Sequence, residues 1–150
     1  MTAPPEGLDW LIALERIKRL RAIYCRSVDS HDWPRMASIL TEDFVLDMSQ
    51  TAEVMGGKID VVSGKAHVMA MFEQGFSQLG KLLHIVTIPE IEFQDGEHAS
   101  GVWRQETYVK ENRPDLPGTG IAYATVYDTY RKESGRWLIA SVRVQLELVF

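Results

Sequence analysis

A chain of 150 residues, 45% hydrophobic and 25% charged, suits one domain that buries its own core, and this balance argues against disorder. Its net charge of −5, with Lys and Arg scattered, offers no basic stripe to a phosphate backbone, so no nucleic acid partner is expected. A single cysteine, Cys25, cannot close an internal disulfide, the start MTAPPEGLDW lacks a basic, apolar leader, and no run approaches ~18 apolar residues; a soluble, cytoplasmic protein that does not enter a membrane is expected.

After the Pro-rich start, Leu11, Leu14, Ile17, Leu20, Tyr24 and Val28 recur at helical spacing, while Lys18, Arg19, Arg21 and Arg26 mostly take the other side. This predicts an amphipathic helix over residues 9 to about 29, ending at DSHD. Asp32 is placed to cap a short second helix, WPRMASIL, with Pro34 in its first turn. In EDFVLDMS, Phe44, Leu46 and Met48 alternate with Val45, Asp47 and Ser49, the period of a strand. No period is sustained through QTAEVMGGKIDVVSGK. Ser63 is the expected cap of a third helix from Gly64 to about Leu79, with Val68, Met71, Phe72, Phe76 and Leu79 as its apolar face and Gly80 at its end.

From Lys81 onward the pattern is strand. LLHIVTIPEIEF leads to a tight hairpin at Asp95-Gly96, HASGVWRQETYVK runs to a looser turn at NRPDLPGTG, and ESGR joins IAYATVYDTYRK to WLIASVRVQLELVF. Helices followed by four long antiparallel strands predict an α+β fold, with the helices on one face of a strongly curved sheet. In the last strand Val142, Val144, Leu146 and Leu148 alternate with Ile139, Ser141, Arg143, Gln145 and Glu147, so apolar residues occur at both parities. That implies a covered outer face and a homo-oligomer, dimer or trimer, assembled through the sheet.

Two polar residues stand out. His84 sits in the apolar run KLLHIVTI, where it is either a satisfied core histidine or an acid–base group in a pocket. Asp29, at the helix end, either serves the turn or supports another side chain, and Asp32 is the better capper. Tyr24 lies on the apolar stripe, either as plain core or as a phenol donor to a substrate oxygen. There is no His or Cys spacing for a metal, no Gly-rich phosphate loop and no Ser nucleophile motif, so no metal and no cofactor are expected.

The strings VDSHDWPRMASILTEDFVLD, HIVTIPEIEF, ASGVWRQETY and YDTYRKESGRWLI resemble the SnoaL-like branch of the nuclear transport factor 2-like superfamily over nearly the whole chain. The resemblance implies a cone: one domain, with a curved, mostly antiparallel sheet wrapped by three N-terminal helices around a deep pocket. Around the site the branch of scytalone dehydratase and bile acid 7α-dehydratase is most similar. In those enzymes an aspartate ending the first helix supports a histidine on the sheet, and Asp29 and His84 fall at the matching places, with Tyr24 matching a tyrosine of the bile acid enzyme. The substrate-reading positions differ, being Val28, Met48, Trp103, Thr107 and Val126 here, and Arg143 falls three residues before the expected arginine. By this resemblance His84, Asp29 and Tyr24 are the catalytic set, and Met48, Met71, Phe72, Trp103, Tyr123 and Val126 are candidate pocket lining. The implied activity is a cofactor-free dehydratase or isomerase acting on a small hydrophobic hydroxy-carbonyl or ring compound. The alternatives are a non-catalytic small-molecule binder, a structural subunit resembling the dioxygenase β-chain, or a polyketide-type cyclase.

Overall fold

The computed structural model describes residues 2–54, 56–77, 80–110 and 119–150. Among them the helices are α1 (Gly7–Ser30), α2 (Trp33–Ala37), α3 (Ser49–Val54) and α4 (Lys65–Phe76). The strands are β1 (Leu40–Asp47), β2 (Val62–Ser63), β3 (Lys81–Val86), β4 (Glu90–Phe93), β5 (His98–Lys110), β6 (Thr119–Glu133) and β7 (Arg136–Val149). Sheet order is β2-β1-β7-β6-β5-β3, with β4 also on β5. β1 runs parallel to β7, and the other pairs are antiparallel. This is the α+β arrangement the sequence pattern predicts, with α1 against β3 and β7 and α4 against β1.

α1 is stopped by His31, which takes a left-handed conformation (φ 55°), and by the Asp32 N–H donating to the Ser27 carbonyl at 2.9 Å. Asp29 is therefore not the stop. Asp32 caps α2 as expected, its carboxylate accepting from the Arg35 N–H at 3.1 Å. The buried stripe of α1 begins at Ala13 rather than Leu11, which is 51% exposed, and it includes Arg21, expected on the outer side.

Several boundaries differ from the expected ones. The aperiodic stretch after β1 holds α3 and β2. Gly64, at φ 93°, is the N-cap of α4 in place of Ser63, with no side-chain capping bond, and α4 ends at Phe76; Leu79 lies outside the described residues. So does most of the looser turn at NRPDLPGTG. LLHIVTIPEIEF makes two strands, because Pro89 has no N–H to offer the ladder; β3 and β4 occupy successive stretches of the same β5 edge. The Asp95-Gly96 corner is a four-residue loop, in which the Asp95 carboxylate accepts from the N–H groups of Glu97 and His98 at 2.7 and 2.9 Å. The tight hairpin is instead at Ser134-Gly135, where both residues have positive φ (48° and 77°), as a type I′ turn requires.

The apolar residues at both parities of β7 have an internal cause. Pairing with β6 skips Ala140 and then Glu147, and each extra residue resets which parity faces inward. Trp137 and Ile139 are thus buried before the first bulge, Val142 and Leu146 between the bulges, while Leu148 beyond the second points out. Phe44, Leu46, Val126 and Tyr130 complete the same core.

Candidate active site

α1 and β3 meet through one carboxylate. Asp29 Oδ1 lies 2.5 Å from His84 Nδ1, and Asp29 Oδ2 accepts the His84 backbone N–H at 3.0 Å. β3 is an edge strand, and His84 directs its N–H away from β5, so Asp29 satisfies a ladder donor that would otherwise be bare. A carboxylate only accepts, so Nδ1 carries the hydrogen and the neutral imidazole keeps its lone pair on Nε2. Both side chains are largely buried, 15% and 16% exposed.

Beside this pair runs a buried polar network. Arg21, 1% exposed, donates through Nη2 to Gln105 Oε1 at 2.5 Å and through Nη1 to Asp128 Oδ1 at 3.4 Å. Its Nε has no partner among the described residues. Asp128 Oδ2 accepts from the Tyr130 hydroxyl at 2.8 Å, which in turn accepts from Trp103 Nε1 at 2.9 Å. Gln105 Nε2 donates to Thr107 Oγ1 at 3.2 Å. Burial pushes the Asp128 carboxyl upward, opposed by Arg21 and the Tyr130 hydroxyl. Burial is the largest single influence on Arg21 and works against its charge, but the Asp128 carboxylate together with Cys25, Tyr24 and Tyr130 outweighs it, and the net shift is upward. The Tyr24 ring lies beneath the guanidinium, 4.8 Å from ring centre to Cζ. Burial, only partly offset by Arg21, raises the Tyr24 phenol far above its usual range, so it can donate but not act as a base. The Cys25 thiol is likewise pushed up by burial and stays protonated.

The structure thus brings Asp29 and His84 together and sets Tyr24 in the core beside Arg21. Of the candidate lining, Phe72, Trp103 and Val126 are buried in that core, with Met48 and Met71 packed against it. Trp103 and Val126 face each other across β5 and β6. Tyr123 departs from the expectation. It pairs with Glu106 and Leu148, packs its ring edge-on against Phe150 (6.0 Å), and lines a cleft of about 360 Å³ with Ile85 and Leu148 on the outer face. A larger cleft of about 980 Å³, between the N-terminal segment and the Ser134-Gly135 turn, does not touch His84 or Asp29 either. Sequence reasoning missed Arg21, Gln105 and Asp128. Asp128 had a visible signal, since it shares parity with Val126 and Tyr130; Arg21 sits four residues after Ile17 and four before Cys25.

The sequence matches the SnoaL-like domain over residues 11–143. A protein named as a probable cyclase of Gibberella zeae is 25% identical over 134 residues, covering 86% of this chain and 87% of the relative. The structure of a LinA-type3 hexachlorocyclohexane dehydrochlorinase from Novosphingobium barchaimii superposes with a TM-score of 0.82, at 17% identity over 97% of this chain and 93% of that one. A protein from Novosphingobium aromaticivorans bearing the name of scytalone dehydratase superposes with a TM-score of 0.80, at 16% identity over 93% and 87% of the two chains.

Proposed function

The chain belongs to the SnoaL-like domain family, and from that premise we propose that it is a cofactor-free lyase or isomerase for a small, mostly apolar hydroxy-carbonyl or ring compound. One observation carries the reading: the Asp29 carboxylate spans Nδ1 and the backbone N–H of His84, which leaves Nε2 as a positioned lone pair. Nε2 takes the proton from a carbon beside a carbonyl, and the electron pair moves onto the carbonyl oxygen. Asp29 stabilises the imidazolium. The proton then returns to a departing hydroxyl, which leaves as water, or to another carbon, which completes an isomerisation; the Tyr24 phenol, whose proton is held tightly by burial, would serve only as a hydrogen-bond donor in that step. Relatives in fold include proteins named for dehydration and for dehydrochlorination, the loss of water and of hydrogen chloride. The name of the Gibberella zeae relative favours cyclisation as the second reading.

The test is proton exchange. A panel of hydroxylated aromatic and steroid-like ketones is incubated with the protein in D2O, and deuterium entering beside the carbonyl is followed by NMR. Exchange that vanishes in His84→Ala supports the reading. Binding without exchange makes the protein a binder and not an enzyme.

We also propose that the chain forms a homo-oligomer through the outer sheet face, where Leu83, Ile85, Leu148 and Phe150 are exposed and Tyr123 lies beside Phe150. Sedimentation at micromolar concentration should show a dimer or trimer that Leu148→Glu dissociates; a wild-type monomer contradicts it.

A further inference from the structure

The hydrogen-bond directions around Gln105 can be assigned without ambiguity. Arg21 has only donors, so the Gln105 atom facing Nη2 is the carbonyl oxygen, and its amide nitrogen must face Thr107 Oγ1. Nitrogen donates there and the Thr107 oxygen accepts. The Thr107 hydroxyl hydrogen is therefore not used by Gln105.

Register places that hydroxyl beside the base. Thr107 is directly opposite His84 across β3 and β5, and directly opposed residues in an antiparallel pair point to the same face. Because the His84 N–H is bonded to Asp29 while the Thr87 N–H donates to the Arg104 carbonyl, His84–Thr107 is a non-hydrogen-bonded pair. In such pairs the Cα atoms approach to about 4.5 Å and the side chains lie closest. Thr107 is half-buried, whereas Gln105 is buried at 8% exposure and Arg21 at 1%. The network runs outward from a buried cation to one hydroxyl next to His84.

We propose that Thr107 donates its hydroxyl hydrogen to the substrate oxygen that gains charge when His84 removes a proton, and that Arg21 acts as a positioning residue through Gln105. This rests on the base role of His84 proposed above and narrows the substrate class. The acidic C–H and the accepting oxygen must be close enough to bridge two adjacent side chains, as in an H–C–C=O fragment. A donor aimed at the developing oxyanion and held by a buried network needs no reorganisation as the charge forms.

The probe is 5-nitrobenzisoxazole. A base removes the proton on C3, the C–H electrons complete the nitrile, the N–O bond breaks, and its pair leaves on the phenolate oxygen, which is read by absorbance. Wild type should exceed the rate of free imidazole, and His84→Ala should abolish the excess. Thr107→Val, which keeps the shape and deletes the hydroxyl, should lower kcat about 10–100-fold with KM little changed, whereas Thr107→Ser should stay within about threefold. Gln105→Glu keeps an acceptor for Arg21 but offers Thr107 only acceptors, so the hydroxyl hydrogen turns to the new carboxylate. It should lower kcat as Thr107→Val does, and adding Thr107→Val to it should cost nothing more. A merely structural Gln105 would not produce that non-additivity, and thermal unfolding of each variant separates it from misfolding. An excess rate lost in His84→Ala but unchanged in Thr107→Val, or fully additive effects of the two substitutions, overturns the inference and leaves the base role standing. No excess rate in wild type, or one that His84→Ala leaves intact, overturns both.

Discussion

Replacing Asp29 separates chemistry from architecture, because its two oxygens serve different donors. In Asp29→Asn only one oxygen remains. If it accepts the His84 backbone N–H, as Oδ2 does at 3.0 Å, the new NH2 group lies where Oδ1 meets Nδ1 at 2.5 Å. A donor there forces Nδ1 to accept and moves the ring hydrogen to Nε2. Every bond is then satisfied, but the lone pair faces the new amide and no longer the substrate side. Stability should change by under about 1 kcal/mol, the net worth of an ordinary hydrogen bond, while any His84-dependent rate falls ~10²–10⁴-fold. Asp29→Ala instead leaves both donors bare. With the pair only 15–16% exposed, that should cost about 1–3 kcal/mol. Two-dimensional 1H–15N NMR of the imidazole reports the tautomer directly, and urea unfolding reports stability. An Asp29→Asn protein that keeps its hydrogen on Nδ1 and its rate within about threefold of wild type refutes the reasoning.

Three further outcomes follow from the core and one surface cluster. Tyr130→Phe removes both the acceptor for Trp103 Nε1 and a donor to buried Asp128, and should cost about 1–3 kcal/mol, a Tm drop of roughly 3–10 °C measured by calorimetry. Gly101→Ala places a Cβ 2.7 Å from Ile91 Cδ1 and 3.2 Å from Trp103 Nε1; the overpacking should cost about 1–3 kcal/mol in urea unfolding, and Ile91→Val in the same chain should restore part of it. Asp43 accepts from both terminal nitrogens of Arg131, at 2.8 and 3.2 Å, and the bonds from Arg131 pull its carboxyl down to about 2. A lowered folded-state value means the stabilisation is present at neutral pH and is lost as pH falls toward about 2. The pair is exposed, so Asp43→Asn should lower the neutral-pH urea midpoint by no more than about 1 kcal/mol equivalent and match wild type near pH 2; a gap that persists there contradicts the assignment.

Local pattern was enough for the order of the longer helices and strands, though not for α3, β2 or the break between β3 and β4, and it was enough for the Asp32 cap and the phase of most of α1, because capping and amphipathic periodicity act within a few residues. It also marked His84, since a histidine in an apolar strand needs a partner, and Asp29, since Asp32 already filled the capping role, but their pairing was implied only by the resemblance to the SnoaL-like branch. What local pattern could not decide was anything set by a partner far along the chain. Arg21 reads as a surface charge until Asp128, 107 residues later, and Gln105, 84 residues later, supply the acceptors that let it be buried. Leu148 reads as continuing the row of Val142, Val144 and Leu146 until the bulge at Glu147 turns the end of β7 over, and the parity of Ile139 depends on the earlier bulge at Ala140; Tyr123 faces outward by the parity of β6 itself, out of phase with Ala124 and Val126. The direction of the Thr107 hydroxyl is remoter still, following from which Gln105 atom meets a guanidinium on another element. A charge is buried, and a strand's inner face chosen, by the free energy of pairing across the fold, and that pairing exists only once α1 and the sheet have met.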